Sequence, residues 1–400
     1  MGQITRHPYE TRDEWLKLRN SFEDRLGGSE LGVAANHSPY NSPYALFCEK
    51  AHLYEPEDIS QKEAIIQGHD LEGYVAERFT RATGKKVHEE LCIFTNSDAP
   101  HLKASIDRKI DDEDSGLECK TVKDIVMRKF PKGDFPQSYY DQCACYLKVT
   151  ELKRWYLAML VFGTEFKIFL MTTVKEERDR YEQLKEKIDA QEELTDEESA
   201  EWQAKWSYLE ACYFIDQDEL DCCETIAANF MSRVDAFKAG DVDAWPIDEI
   251  DGSEATAKVL AKINPVAKPE SVVTFDEKSP FGVQNDGKVY TGARREDVVA
   301  IAKHRLEIMN LMDALEKEQD EMDNRLMALM KDKETFKIPG MKITCKLSAA
   351  RTYASVQLVE DYFKAKKEKI PEGMIYSSKQ KRGIRLWPAK EKAKKGKPAK

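Results

Sequence analysis

Apolar positions along the first 170 residues follow two periods. Residues 12–25 are charged, with Trp15, Leu18 and Phe22 at helical spacing, and residues 64–82 set Ile65, Leu71, Val75 and Phe79 near one side of a second helix. Gly84 is placed to stop that helix. A period of two takes over afterwards. Residues 101–110 and 117–122 flank an Asp/Glu/Ser/Gly turn, and residues 155–162 and 166–172 flank Gly163-Thr164-Glu165, so both pairs read as hairpins. Helices beside paired strands predict a mixed α/β core over residues 1–173.

Helix dominates from Val174. Thr195 and Glu198 have the spacing of a capping box between two charged helices, which predicts an inserted helical hairpin over 174–214. Residues 215–263 add helices that complete the core, with one over 221–239 stopped by Gly240. Residues 264–295 are rich in Pro and Gly turns and read as a linker. In the C-terminal region, 296–378, the strongest helix of the chain covers 296–333. There Ile301, Ile308, Leu315, Met322 and Leu329 repeat at seven, and Leu311, Met312 and Leu326 widen the stripe. Glu318 and Arg325 interrupt the seam, so the helix is expected to pack on its own body rather than form a dimerising coiled coil. A strand over 341–347, a short helix over 356–366 and a basic tail over 379–400 are expected beyond it.

Composition narrows the possibilities. With 41% hydrophobic and 10% aromatic residues, a chain of 400 can build a core, which excludes wholesale disorder. The longest apolar run, 155–162, is far short of the roughly 20 residues that span a bilayer, and residues 1–6 carry no apolar signal region. The expectation is a protein of the cytoplasm, that of the bacterial host if the chain is of phage origin, with no membrane contact. Nine cysteines without a C-x-x-C pair read as free thiols. The formal charge is −11. The tail opposes it, with ten Lys/Arg against the single Glu391, and a basic tail on an acidic body points weakly to a polyanion.

The informative chemistry lies in residues 103–122, KASIDRKIDDEDSGLECKTV. Alternation turns Ile106 and Ile110 one way and Asp107 and Lys109 the other; on the return strand Leu117 and Cys119 share a face, and Glu118 and Lys120 the opposite one. If Ile110 pairs with Ser115, Asp107 falls opposite Glu118. Facing carboxylates destabilise a bare sheet, and a hard divalent cation between them reverses that penalty. Lys120 could then orient or deprotonate a water at the metal, the arrangement for attack on a phosphodiester. The spacing D-x10-E-x-K is degenerate by itself, since the solvated face of any hairpin could carry it.

Several separated motifs in order remove that degeneracy. EWLKLRNSFEDRLGGSELGVAANHSPYNSPYALFCEK, GHDLEGYVAERF, SIDR, LECK and SYYDQCACYL together resemble the YqaJ-type viral recombinase family, the lambda-exonuclease branch of the PD-(D/E)xK nucleases, over roughly residues 12–170. The resemblance implies a restriction-endonuclease-like core, a mixed central sheet flanked by helices, here with a helical insertion and a helical C-terminal region. It implies Asp107, Glu118 and the Cys119 carbonyl as ligands of Mg²⁺ (Mn²⁺ a plausible substitute), and Lys120 acting on the attacking water. Glu72 would reach the site from its helix and Gln142 would support it from the following one. Arg19 and Ser29 match positions that grip a terminal 5′-phosphate, with Arg25 a competitor because about three extra residues separate them. Ser29 could instead simply cap a helix beginning near Glu30. Two departures stand beside the acid: Ile106 where the family has Pro, and Arg108 where it has Gly.

The implied activity is a Mg²⁺-dependent 5′-to-3′ exonuclease acting on double-stranded DNA ends to expose 3′ single strands for phage-type recombination. A single-strand annealing protein is the implied partner and a ring-shaped homo-oligomer the implied assembly. Alternatives are a PD-(D/E)xK nuclease of other polarity or an endonuclease of defence or repair. The iron–sulfur nucleases of CRISPR adaptation need a cysteine arrangement that Cys48 and the later cysteines do not supply. A catalytically idle DNA-binding or scaffold protein is the alternative from another class.

Overall fold

The computed structural model describes residues 2–127, 130, 135–161, 165–264, 271–331, 333, 335–338, 341–344 and 364. The chain divides into two units, Met1–Pro265 and Val266–Lys400.

The first unit opens with β1 (Ile4–Pro8), α1 (Arg12–Ser21), α2 (Gly28–Ala34), α3 (Pro43–Lys50) and α4 (Glu63–Thr83). The strands β2 (Val87–Glu89), β3 (Cys92–Asn96), β4 (Ala99–Ser105), β5 (Arg108–Ile110) and β6 (Ser115–Val122) follow, then α5 (Asp124–Met127) and α6 (Gln137–Thr150). The unit closes with β7 (Arg154–Val161), β8 (Glu165–Thr172), α7 (Lys175–Asp189), α8 (Asp196–Lys205), β9 (Ala211–Phe214), α9 (Gln217–Lys238) and α10 (Glu254–Ile263). Six strands form a mixed sheet in the order β2-β5-β6-β7-β8-β9, parallel at β6–β7 and β8–β9. A separate antiparallel sheet has the order β1-β3-β4.

The central sheet is buried on both faces, and the period of two sorts its residues. Trp155, Leu157 and Met159 of β7 join one core with α2, α3, α6 and α9, while Tyr156 and Ala158 join the other with α4, α7 and α8. This is the mixed α/β architecture expected, a central mixed sheet flanked by helices. Close approach demands glycine at Gly116 of β6, where a Cβ would lie 2.4 Å from the Trp155 indole.

Several expectations hold at residue level. The second helix stops on Gly84 in the left-handed region (φ 74°), and Thr195 and Glu198 form the capping box of α8. β7 and β8 pair as predicted; their turn, 162–164, lies outside the described residues. Six of the eight described cysteines are buried, Cys119 is partly so, and Cys222 is exposed; all are free thiols.

Other expectations are corrected. The first helix ends at Ser21, so Phe22 caps it rather than belonging to its face. Residues 101–110 are not one strand. β4 pairs with β3 in the small sheet, the chain breaks at Ile106-Asp107, and β5 enters the large one. Ile106 and Ile110 consequently pack in different cores, although their parity is the same. The segment 174–214 is more than an inserted hairpin, because β9 pairs in parallel with β8 and extends the central sheet.

In the second unit, 264–295 is not a bare linker. β10 (Val273–Thr274), β11 (Phe281–Gln284) and β12 (Val289–Arg294) form a three-stranded antiparallel sheet, and residues 265–270 lie outside the described set. α11 spans Arg295–Met330, and β13 (Thr335–Ile338) pairs with β14 (Met341–Thr344). Within the second unit, Met330 is the one buried residue of α11 among the described residues. The helix expected over 356–366, apart from Lys364, and the basic tail lie outside the described residues. No helix among the described residues is long and apolar enough to cross a membrane.

Candidate active site

β5 and β6 carry the register the sequence predicts. Arg108 faces Leu117 and Lys109 faces Gly116, and the same register continued by one residue sets Asp107 opposite Glu118. Leu117 turns toward α4, and Glu118 toward the core that holds Leu157, its partner on β7. Glu118 therefore occupies a core-facing position, where a carboxylate is costly unless its oxygens are partnered. It is 2% exposed.

One of its oxygens is well served. Lys120 Nζ lies 2.6 Å from Glu118 Oε1, and Gln142 Nε2 on α6 donates to that same oxygen at 2.8 Å and to the Tyr146 hydroxyl at 2.7 Å. Glu118 Oε2 is buried without a hydrogen-bond partner. Asp107 sits in the break between β4 and β5, where its Oδ2 accepts the Cys119 backbone N–H at 2.9 Å. Burial, and then the charge of Glu118, hold the Asp107 carboxyl above the usual carboxylate range. Burial alone would lower Lys120, but Glu118 and Asp107 outweigh it and raise the ammonium above its ordinary value.

Glu72 reaches the edge of this group from α4. Its Oε1 is taken by Arg108 Nη1 at 2.6 Å, and Arg108 also pairs with Glu89 at 3.1 Å. Burial and then Asp107 raise the Glu72 carboxyl. Arg108 thus gives the residue after the acid a task, binding α4 to the strand break. Among the described residues no group of three His, Cys, Asp or Glu is arranged to hold a metal. Two carboxylates beside a strand carbonyl nevertheless suit a hard cation that keeps most of its water, and the unpartnered Glu118 oxygen is the atom such an ion would satisfy.

Of the residues expected to grip a phosphate, Arg19 joins a second cluster, around Glu30. Glu30, on α2, accepts Lys50 Nζ at 3.1 Å and the Gly27 N–H at 2.7 Å, and lies 3.5 Å from Arg19 Nη2. Lys103, buried on β4, donates to the carbonyls of Arg19 and Phe22 at 3.0 and 2.8 Å, tying down the end of α1. Ser29 is exposed in the first turn of α2 and is not its cap, which is Gly27. Arg25 lies over the Phe22 ring at 5.5 Å, and its buried Nε has no hydrogen-bond partner. Sequence reasoning missed Glu30, Lys50 and Lys103 because they come from three separated segments. It also missed Tyr146, which the i, i+4 spacing from Gln142 on α6 could have revealed.

Residues 14–153, the span holding both clusters, match the family model for the YqaJ-like viral recombinase domain. This stretch is similar to a YqaJ-like viral recombinase domain. Over 158 residues the chain is 32% identical to the uncharacterized protein YqaJ of Bacillus subtilis (strain 168), which covers 39% of this chain and 48% of that protein. The chain thus matches about half the length of this curated relative. Among solved structures it is similar to the alkaline exonuclease LHK-Exo of Laribacter hongkongensis, at 14% identity over 57% of this chain and 94% of that one, with a TM-score of 0.36. The complex of LHK-Exo with dAMP gives 13% identity, the same coverage and a TM-score of 0.37. Asp107, Glu118, Lys120 and Gln142 all fall inside the matched span, as do Glu72, Arg19, Arg25 and Ser29.

Proposed function

We propose that the chain is a Mg²⁺-dependent exodeoxyribonuclease that degrades one strand of duplex DNA from its 5′ end and leaves 3′ single strands for phage-type recombination. One observation carries the reading: Glu118 is buried at a core-facing position beside Asp107 and Lys120, with one oxygen left without a partner. Asp107, Glu118 and the Cys119 carbonyl would hold Mg²⁺, or Mn²⁺ in its place. When bound, the ion supplies a Lewis acid for the scissile phosphate. Gln142 fixes one Glu118 oxygen and leaves the other free. Lys120, its proton held by two carboxylates, is a donor suited to orienting a water.

Arg19, Ser29 and Arg25 would receive the terminal 5′-phosphate, in a neighbourhood where three cations surround one carboxylate. A single-strand annealing protein and a homo-oligomeric ring belong to this reading through the family resemblance. Incubating the purified chain with linear and with closed circular duplex in Mg²⁺ tests it. Loss of the linear DNA alone is expected. Cutting of the circle would replace the exonuclease with an endonuclease, and inertness toward both would leave a DNA-binding or scaffold protein.

A further inference from the structure

Among the described residues of the second unit, nothing covers the apolar stripe of α11. Ile301, Ile308, Leu315, Met322 and Leu329 are 58, 45, 55, 41 and 70% exposed, and Leu311 and Met312 beside them are exposed as well. A seven-residue repeat on a helix of 36 residues, about 54 Å long, is a seam cut for another helix. Water is a poor partner for it. The polar residues help to identify the occupant. α11 carries nine acids against five Lys/Arg, which disfavours duplex DNA and anionic lipid alike. Three residues after Leu315 and Met322, on the second line of the seam, stand Glu318 and Arg325.

We propose that α11 pairs in antiparallel fashion with α11 of a second copy of the chain, the two crossing near Asp320 so that residues 310–330 of the copies overlap. Parallel, in-register pairing would bring Glu318 against Glu318 and Arg325 against Arg325 in the seam, like charges with no relief. The antiparallel arrangement sets Glu318 of each copy in the layer next to Arg325 of the other. In that register Leu311 of each copy also faces Leu329 of the other, so apolar layers flank the charged ones. The two-fold axis makes the contact closed and self-complementary. In the single chain Arg325 pairs with Glu321 one turn earlier, an exposed contact that is easily exchanged. The charges that interrupt a parallel coiled coil thus specify the direction of this one. The inference concerns the second unit and does not depend on nuclease activity.

Sedimentation velocity on the full chain tests it, with circular dichroism to confirm that each variant keeps its helix. Wild type should associate reversibly. Leu315→Asp should abolish the α11-dependent step, and Glu318→Arg or Arg325→Glu should each weaken it by about tenfold or more. The double variant Glu318→Arg with Arg325→Glu should recover it, because the opposite charges meet again only in an antiparallel pair. A monomeric wild type, association unchanged by Leu315→Asp, or a double variant as weak as the singles would each overturn the proposal.

Discussion

Two groups of charged residues within residues 14–153 are unbalanced in opposite directions. Around Lys120 stand two carboxylates, Asp107 and Glu118; around Glu30 stand three cations, Arg19, Lys50 and Lys103. The consequences mirror each other. An acid is pushed up in the first group, Asp107, by burial and then by Glu118. A base is pushed down in the second, Lys103, to about 8, by burial and, against the pull of Glu30, by Lys50 and Arg19. Burial opposes charge of either sign, so a surplus of one sign held away from water needs a counter-ion to stabilise it. The comparison teaches that one group carries a surplus of negative charge and the other of positive charge, which in the proposed function would meet a cation and an anion respectively. α2 and α6 join them: a Cβ on Gly28 would lie 2.7 Å from the Tyr146 ring and 3.0 Å from Gln142 Cγ, so the segment carrying Glu30 rests on the residue behind Glu118.

The largest effect should come from emptying the acidic group. Asp107→Ala, Glu118→Ala and Lys120→Ala are each expected to reduce DNA cleavage by at least about a thousandfold with the fold retained. Their stabilities should divide by sign. Without divalent ions, Asp107→Ala removes like-charge repulsion and should melt no lower than wild type, whereas Lys120→Ala leaves two carboxylates uncompensated and should lose about 3 kcal/mol. Thermal melts in EDTA decide this, and equal melting of the two variants would break the comparison.

Next in size is the connection between the groups. Gly28→Ala should cost about 1–3 kcal/mol through overpacking against Tyr146 and should slow cleavage about tenfold by displacing Gln142. A variant that melts lower yet cuts at the wild-type rate would show that the two groups work independently.

The basic group should give a smaller, substrate-dependent effect. Ends carrying a 5′-phosphate should be degraded faster than 5′-hydroxyl ends, and Arg19→Ala should shrink that ratio about tenfold, the worth of one charge-assisted contact. Arg25→Ala is the companion measurement, because its unpartnered Nε makes it the rival donor. A ratio unchanged in both variants would remove the phosphate pocket from the account.

The smallest effect is a pH dependence. Lys103 keeps its proton below about 8 and loses it above, so the preference for a 5′-phosphate should fall by a few fold as pH rises through that value. The sign for stability is opposite. The folded value lies below the free lysine's 10.5, so the charged lysine costs stability at neutral pH, and that cost fades between about 8 and 10.5. Lys103→Met should flatten the pH profile of the preference; an unaltered profile would assign the titration to another group.

The acidic group was legible in the sequence because it rests on local rules. The turn between β5 and β6 fixes the register, and alternation puts Glu118 and Lys120 on one face. The break at Ile106-Asp107 was not legible. Ile106 and Ile110 have the parity of one continuous strand, and only pairing of β4 with the distant β3 divides them between two cores. Arg108 was visible merely as a departure from the family pattern, since its partner Glu72 lies on α4. β9 is four residues long after two charged helices, too short for periodicity to announce. The sheet over 273–294 hides for a similar reason, having short strands without a buried alternating face. The exposure of the α11 stripe could not be read from spacing, which is the same whether a helix packs on its own body or waits for another.

The most direct test of the central claim is digestion of linear duplex DNA labelled at either the 5′ or the 3′ end, by wild type and Glu118→Ala, with Mg²⁺ and with EDTA. The account predicts that wild type with Mg²⁺ releases the 5′ label at once as a mononucleotide and leaves the 3′ label on a shortening strand, with no digestion in EDTA or by the variant. Digestion that persists in EDTA, early release of the 3′ label, or a Glu118→Ala rate equal to wild type would contradict it.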